Sequence, residues 1–231
     1  RSHRMDSSRA NPTAGPLLND RGRALVAIAS PKEALAILGD PTIGPDDLPL
    51  WTTVRRDRFD VVRTGVSKAN AAAGAMAAFD GHQAILSVGI GGALSSDVGL
   101  GDLVLASSCV FADEGVEMHE GLRSCAELGF DIPDVLETDP SLRGLLRPHV
   151  DHEAPIATVS SGAGRDDLAR RRASIASVEA MEGAAVALVA HRLGVPFAEI
   201  RAVSNTTGDR SAQVWEIDRA LDRLRAFVAL L

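Results

Sequence analysis

The alternation of apolar strands with alanine-rich helical stretches predicts an α/β fold, a three-layer sandwich with a central mixed β-sheet flanked by helices. Two runs carry most of that prediction. Gln83–Gly89 is short, continuous and apolar, as expected of a strand buried on both faces. At the other end of the chain, apolar residues at 214, 217, 221, 224, 227, 228 and 231 keep the spacing of a single helix face. With 45% hydrophobic residues the chain can bury a sizeable core. Six Phe, two Trp and no Tyr mean that Ala, Val, Leu and Ile must build it.

Taken in order, Ala24–Ser30 reads as a strand, and Pro31 can open a helix at its first position. Leu50–Arg55 and Phe59–Thr64 read as strands, and Ser67 can cap a helix running to Phe79. Gln83–Gly89 should end in a glycine loop over residues 89–92, and Leu103–Phe111 is the next strand. Residues 112–150, rich in Pro, Gly, Asp and Glu, read as irregular with room for a lid. Pro155–Ser161 is a strand. Ser177–Ala180 is a short extended piece leading into a helix that ends near Gly194, and Pro196–Ser204 is the last strand before the terminal helix. Ligands of such sheets sit beyond the carboxyl ends of strands.

Residues 1–22 stand apart. Arg1-Ser2-His3-Arg4 before Met5 reads as an expression scar and the polar stretch after it as a disordered leader, leaving residues 23–231 as a single domain. A net charge of −7 argues against nucleic acid and anionic membranes as partners. No apolar run approaches a membrane span. Two cysteines, Cys109 and Cys125, are too few for a disulfide framework and suit a reducing cytoplasm. With His119 between them their spacing matches no usual zinc pattern, so no metal is expected.

Several motif readings fail. Gly89-Ile90-Gly91-Gly92-Ala93-Leu94 begins like a dinucleotide fingerprint but has Leu94 where the third glycine belongs. There is no Walker A lysine, and Gly65-Val66-Ser67-Lys68-Ala69 lacks the last glycine of a nucleophile elbow. Asn205-Thr206-Thr207 matches a glycosylation sequon only by accident.

Three segments at strand ends carry the chemistry: Ser87–Leu94, Ala180-Met181-Glu182-Gly183-Ala184-Ala185 and Glu199-Ile200-Arg201-Ala202-Val203-Ser204-Asn205. Together they resemble the purine nucleoside phosphorylase and methylthioadenosine nucleosidase superfamily over most of residues 24–231. With Ala112-Asp113-Glu114-Gly115-Val116-Glu117 the resemblance is to its futalosine hydrolase branch. The resemblance implies a purine nucleoside substrate, N-glycosidic bond cleavage, no cofactor, and a homodimer in which the second subunit completes the pocket around the sugar 5′ position. Other 6-oxopurine nucleosidases or phosphorylases, methylthioadenosine/S-adenosylhomocysteine nucleosidases and a catalytically dead nucleoside-binding domain are the competing readings.

Glycosidic cleavage builds positive charge on the ribose and negative charge on the departing base, and each needs a partner. Glu182 matches the family's ribose-binding carboxylate, and Met181 beside it supplies a soft apolar wall. Relatives carry an acid two residues before that glutamate. Here that position is Ala180 and the acid is Glu179, whose role stays open. Asn205 stands where the adenosine-cleaving relatives have Asp. An amide can donate to a 6-carbonyl and accept from a protonated N7, which favours hypoxanthine or guanine over adenine. Asp209 is the alternative acid. Glu33 sits where the nucleosidases carry the water-activating glutamate, in a stretch, Ser30-Pro31-Lys32-Glu33, that lacks the phosphorylases' arginine-bearing phosphate loop. Water is therefore the expected nucleophile. Gly89, Ile90, Gly91 and Gly92 would let backbone amides approach the ligand, and Val66 lies in a segment resembling the one that lines the 5′ side. Futalosine's 5′ arm ends in a benzoate, for which Arg123, His119, Lys68 and Arg165 are the candidate cations.

Overall fold

The computed structural model describes residues 22–231; the scar and leader assigned to residues 1–22 fall almost entirely outside them. The first strand, β1 (Ala24–Ile28), is five consecutive buried apolar residues. Ser30 then caps α1 (Pro31–Leu38): its Oγ accepts from Glu33 N, and the Glu33 side chain reaches back to Ser30 N. Gly39 at φ +62° closes the helix. β2 (Thr53–Arg55) is shorter than expected. Trp51 takes a left-handed φ of +64°, which breaks the extended run that Leu50 was expected to start. β3 (Phe59–Arg63) and α2 (Lys68–Ala78) follow as expected.

β4 (Ala84–Ala93) departs from expectation. It continues through the four residues read as a glycine loop, because a partner ladder flanks it on each side. β5 (Leu103–Phe111) leads into the stretch taken as irregular, which is instead ordered. It holds a hairpin of β6 (Gly115–Met118) and β7 (Gly121–Ser124), then β8 (Val135–Glu137) and α3 (Pro140–Leu146). Asp139 caps α3, and Leu142 and Leu146 bury there, enough to hold a two-turn helix that composition hides. β9 (His152–Thr158) begins three residues earlier than predicted. α4 (Asp166–Ala173) was not anticipated. Its sequence is arginine-rich, and it buries only Ala169 and Arg172. β10 (Val178–Ala180), α5 (Gly183–Leu193), β11 (Phe197–Thr206) and α6 (Ile217–Val228) complete the chain.

The sheet runs β10-β9-β5-β11-β4-β1-β3-β2, with β8 added on β5. It is mixed: β1, β3, β4 and β11 are parallel, while β5 meets β11 antiparallel. β4 also pairs antiparallel with β10, so β4, β11, β5, β9 and β10 close on themselves. One core lies between the sheet and α1, α3 and α6 (Val26, Leu86, Ile200, Leu142, Leu224, Phe227). The other lies between the sheet and α2 and α5 (Leu25, Ile85, Val104, Ala75, Ala184, Val186). These are the three layers predicted.

Candidate active site

A cavity of about 480 Å³, within the range of small-molecule sites, opens at the carboxyl ends of β1, β4 and β11. Glu33, Val66, Ile90, Gly91, Gly92, Met181, Glu182 and Asn205 all line it. Gly89 is the one proposed site residue that does not. It lies behind the wall, where a Cβ would come within 2.5 Å of both Arg201 Nη1 and Glu33 Oε1. The other two glycines are likewise required by crowding. A Cβ at Gly91 would meet Val178 Cγ1 at 2.7 Å and the Glu179 carbonyl at 3.0 Å, and one at Gly92 would meet Asn205 Nδ2 at 3.0 Å.

Glu33 occupies the third position of α1, only 4% exposed. Oε2 accepts the Ser30 N–H at 2.9 Å and Oε1 the Ile90 N–H at 2.8 Å, which fixes the carboxylate between helix and sheet. Glu182 is the N-cap residue of α5. Oε1 accepts from Ser67 N and Oε2 from Met181 N, both at 3.3 Å, and Arg201 Nη1 lies 3.3 Å from Oε2. The Ser67 N–H reaches Glu182 because Ser67 adopts φ +101°, a conformation that costs a non-glycine residue energy. Burial pushes the Glu182 carboxyl above the ordinary range. Arg201 opposes the rise, and the charges of Glu33 and Glu199 add to it.

Asn205 lines the same cavity near the end of β11. The ladder to β4 pairs Val203 with Gly91 and Asn205 with Gly92, so Ser204 is a bulged extra residue. Nδ2 donates to Thr206 O at 2.9 Å, which fixes the amide. Oδ1 then faces the Ser204 hydroxyl, also at 2.9 Å. One N–H and one lone pair of the amide remain for a ligand.

The open assignments resolve geometrically. Both Glu179 oxygens are engaged, Oε1 by Ala163 N at 2.7 Å and Oε2 by Arg172 at 2.8 Å. Glu179 thus anchors the Gly162–Gly164 stretch of the wall. Asp209 is exposed and caps a turn through Ser211, as its neighbours suggested. None of the four cations proposed for a carboxylate lines the cavity. Lys68 is held by Asp113 and Glu114, Arg165 pairs with Asp167, and Arg123 and His119 are exposed on the β6–β7 hairpin. Arg210, which sequence reasoning missed, is the one cationic side chain on the wall among the described residues. It lies over the Trp215 ring at 4.6 Å and donates to Gln213 Oε1 at 2.7 Å.

Sequence reasoning also left Glu199 and Arg201 without a role, although two charges in an otherwise apolar strand are a signal. Both are buried. Arg201 Nε donates to Glu199 Oε1 at 2.7 Å, Nη2 donates to Ser87 Oγ at 3.0 Å, and these carboxylates hold the guanidinium charged.

Residues 53–231 match the family described as the phosphorylase superfamily. Futalosine hydrolase of Streptomyces coelicolor is 36% identical over 76% of this chain and 79% of its own length, and that of Thermus thermophilus is 34% identical over 78% and 84%. The chain belongs to the phosphorylase superfamily, in its futalosine hydrolase branch. A 5′-methylthioadenosine/S-adenosylhomocysteine nucleosidase of Chromohalobacter salexigens is more distant, at 27% identity over 65% of this chain. Among solved structures, native futalosine hydrolase of Helicobacter pylori superposes with a TM-score of 0.73 at 18% identity, covering 92% of this chain and 97% of that one. That likeness is one of fold, and it matches the sandwich described above. In this branch member no helix among the described residues is long and apolar enough to cross a membrane.

Proposed function

We propose that the chain, as one catalytic domain over residues 23–231, hydrolyses the N-glycosidic bond of futalosine. The products are hypoxanthine and dehypoxanthine futalosine, a step of menaquinone biosynthesis. The observation that carries this reading is that Glu33, Glu182 and the Asn205 amide line one cavity. As the bond breaks, Glu182 accepts from the ribose hydroxyls and stabilises the positive sugar, while Glu33 takes a proton from the attacking water. The departing base takes its N7 proton from solvent water, and Asn205 donates to O6 and accepts from the resulting N7–H. Three carboxylates on the wall, Glu33, Glu179 and Glu182, repel phosphate, and Lys32, the cation nearest Glu33 in sequence, is exposed and off the wall. These features favour water as nucleophile. The 36% identity to a futalosine hydrolase supports this substrate over methylthioadenosine. The reading includes a homodimer acting in the cytoplasm.

The test is incubation with futalosine and with inosine, each with and without phosphate. Free hypoxanthine from futalosine, independent of phosphate and with a free anomeric hydroxyl on the sugar product, is expected. A sugar 1-phosphate, or preference for inosine, overturns the reading.

A further inference from the structure

Glu199 and Arg201 are 0% and 1% exposed, and neither lines the cavity. They stand two residues apart on β11 and so share one face of the strand. Burying an ion pair that touches no ligand is costly and rarely improves stability over an apolar pair. The surroundings of Glu199 show what it serves. From β5, Cys109 Sγ donates to Oε2 at 2.9 Å, and burial together with the Glu199 charge pushes that thiol up, so it stays a donor. From α5, Gly183 leaves the carboxylate its space, since a Cβ there would overlap it. Arg201 Nε closes the set.

Beyond Nε, the guanidinium is shared. Nη2 meets Ser87 on β4, and Nη1 reaches toward Ile90 O at 3.5 Å and Glu182 Oε2 at 3.3 Å. Glu33 Oε1, on α1, crowds the same point over Gly89 as Nη1. One guanidinium therefore pairs with two carboxylates, Glu199 and Glu182, and feels the charge of a third, Glu33; the last two face the cavity.

We propose that Glu199 is a positioning residue of the reaction: it grips Arg201 through Nε and offsets its charge, so that Glu182 faces the cavity as an undiminished anion. Unopposed, the guanidinium would stabilise the Glu182 anion so well that it became a weak counter-charge to the sugar cation. Held by Glu199, it orients Glu182 without quenching it. The glycine that opens α5 and the thiol on β5 follow from the same need, since each makes room or a donor for the Glu199 carboxylate.

This inference rests on the glycosidase reading, and its test separates the two. Glu199→Gln keeps an acceptor for Arg201 Nε and removes the charge. The Glu182 carboxyl, recognised by its loss in Glu182→Gln, is titrated by infrared difference spectroscopy in the parent and in Glu199→Gln. Its midpoint should move to lower pH in the variant. The acid limb of the kcat/KM profile for futalosine cleavage should move the same way, with kcat down about tenfold and KM nearly unchanged. A midpoint that stays or rises overturns the proposal. Glu199→Asp, which keeps the charge but is too short to grip Nε, should leave the midpoint at the parent value and still lose kcat. A fall like that of the Gln variant overturns it too, and these two variants give independent readings if one does not fold. The titration needs no turnover, so a parent that fails to cleave futalosine refutes the functional reading alone.

Discussion

Glu33 Oε1 accepts the N–H of Ile90 at 2.8 Å, tying the first turn of α1 to the middle of β4. Both oxygens of the proposed base therefore already serve backbone donors, and an amide cannot replace both acceptors. Glu33→Gln should slow cleavage on the order of 10²–10⁴-fold. It should also destabilise the fold by about 1–3 kcal/mol, since one buried N–H loses its acceptor. Steady-state rates and thermal unfolding measure both, and calorimetric nucleoside binding should survive better than turnover. Near-normal activity would remove Glu33 from the mechanism.

Glu182→Gln should separate stability from rate. The carboxyl is raised above its ordinary value by burial, so it binds its proton more tightly folded than unfolded. Such a group favours the folded state below its unfolded value, and that contribution is lost as pH rises through the folded value. At neutral pH the charged Glu182 is thus a net cost. Gln removes that cost but also takes an acceptor from Ser67 N or Met181 N and the charge facing Arg201, so the test is the trend: its Tm relative to the parent should rise from about pH 4 toward neutrality. Cleavage should fall on the order of 10²–10⁴-fold. A Tm difference that falls as pH rises, or a fully active variant, contradicts the assigned role.

Asn205→Asp exchanges a donor for an acceptor at the base edge. The 6-oxopurine nucleoside should lose roughly 1–3 kcal/mol of transition-state binding, and a 6-amino counterpart should gain relative to it. The ratio of kcat/KM values for the two substrates in both proteins decides. An unchanged ratio means that Asn205 does not read the base.

Arg210→Gln should raise KM for futalosine and inosine alike, because the guanidinium stacks on Trp215, which bridges to Asn205 at the base end common to both substrates. An effect confined to futalosine would place Arg210 at the substrate's arm instead.

Gly89→Ala puts a methyl group 2.5 Å from Arg201 Nη1 and Glu33 Oε1. Both charges must shift, so kcat should fall at least about tenfold even if the fold persists. Circular dichroism and rate measured together check this, and a fully active variant would show that the two charges need no fixed spacing.

Much of this was legible from the chain alone. Pro31 after Ser30 marked the start of α1, Gly194 the end of α5, and the strand-end segments named Glu182 and Asn205 and the stretch after the first strand Glu33, all of which line one cavity. What stayed hidden depends on neighbours distant in sequence. Glycines 89–92 read as a loop by local preference, yet strands more than eighty residues away take them into a ladder and demand their small size. Arg210 could not be chosen over Arg123 or Arg165, because only the fold decides which exposed arginine faces the cavity. The Glu199–Arg201 pair was visible as an oddity in an apolar strand, but its partners Cys109, Gly183 and Ser87 come from three other elements.

Ser204 is one residue more than the β4–β11 ladder needs, and it sets the facing of everything after it. Side chains alternate along a strand, so deleting one residue here would turn position 205 from one side of the sheet to the other. Exchange of the residue at 205 therefore keeps the facing of the strand end, whereas loss of a residue at 204 inverts it and takes the amide out of the cavity. Gaps should accordingly be tolerated far less at this strand end than in the exposed turn at 209–212.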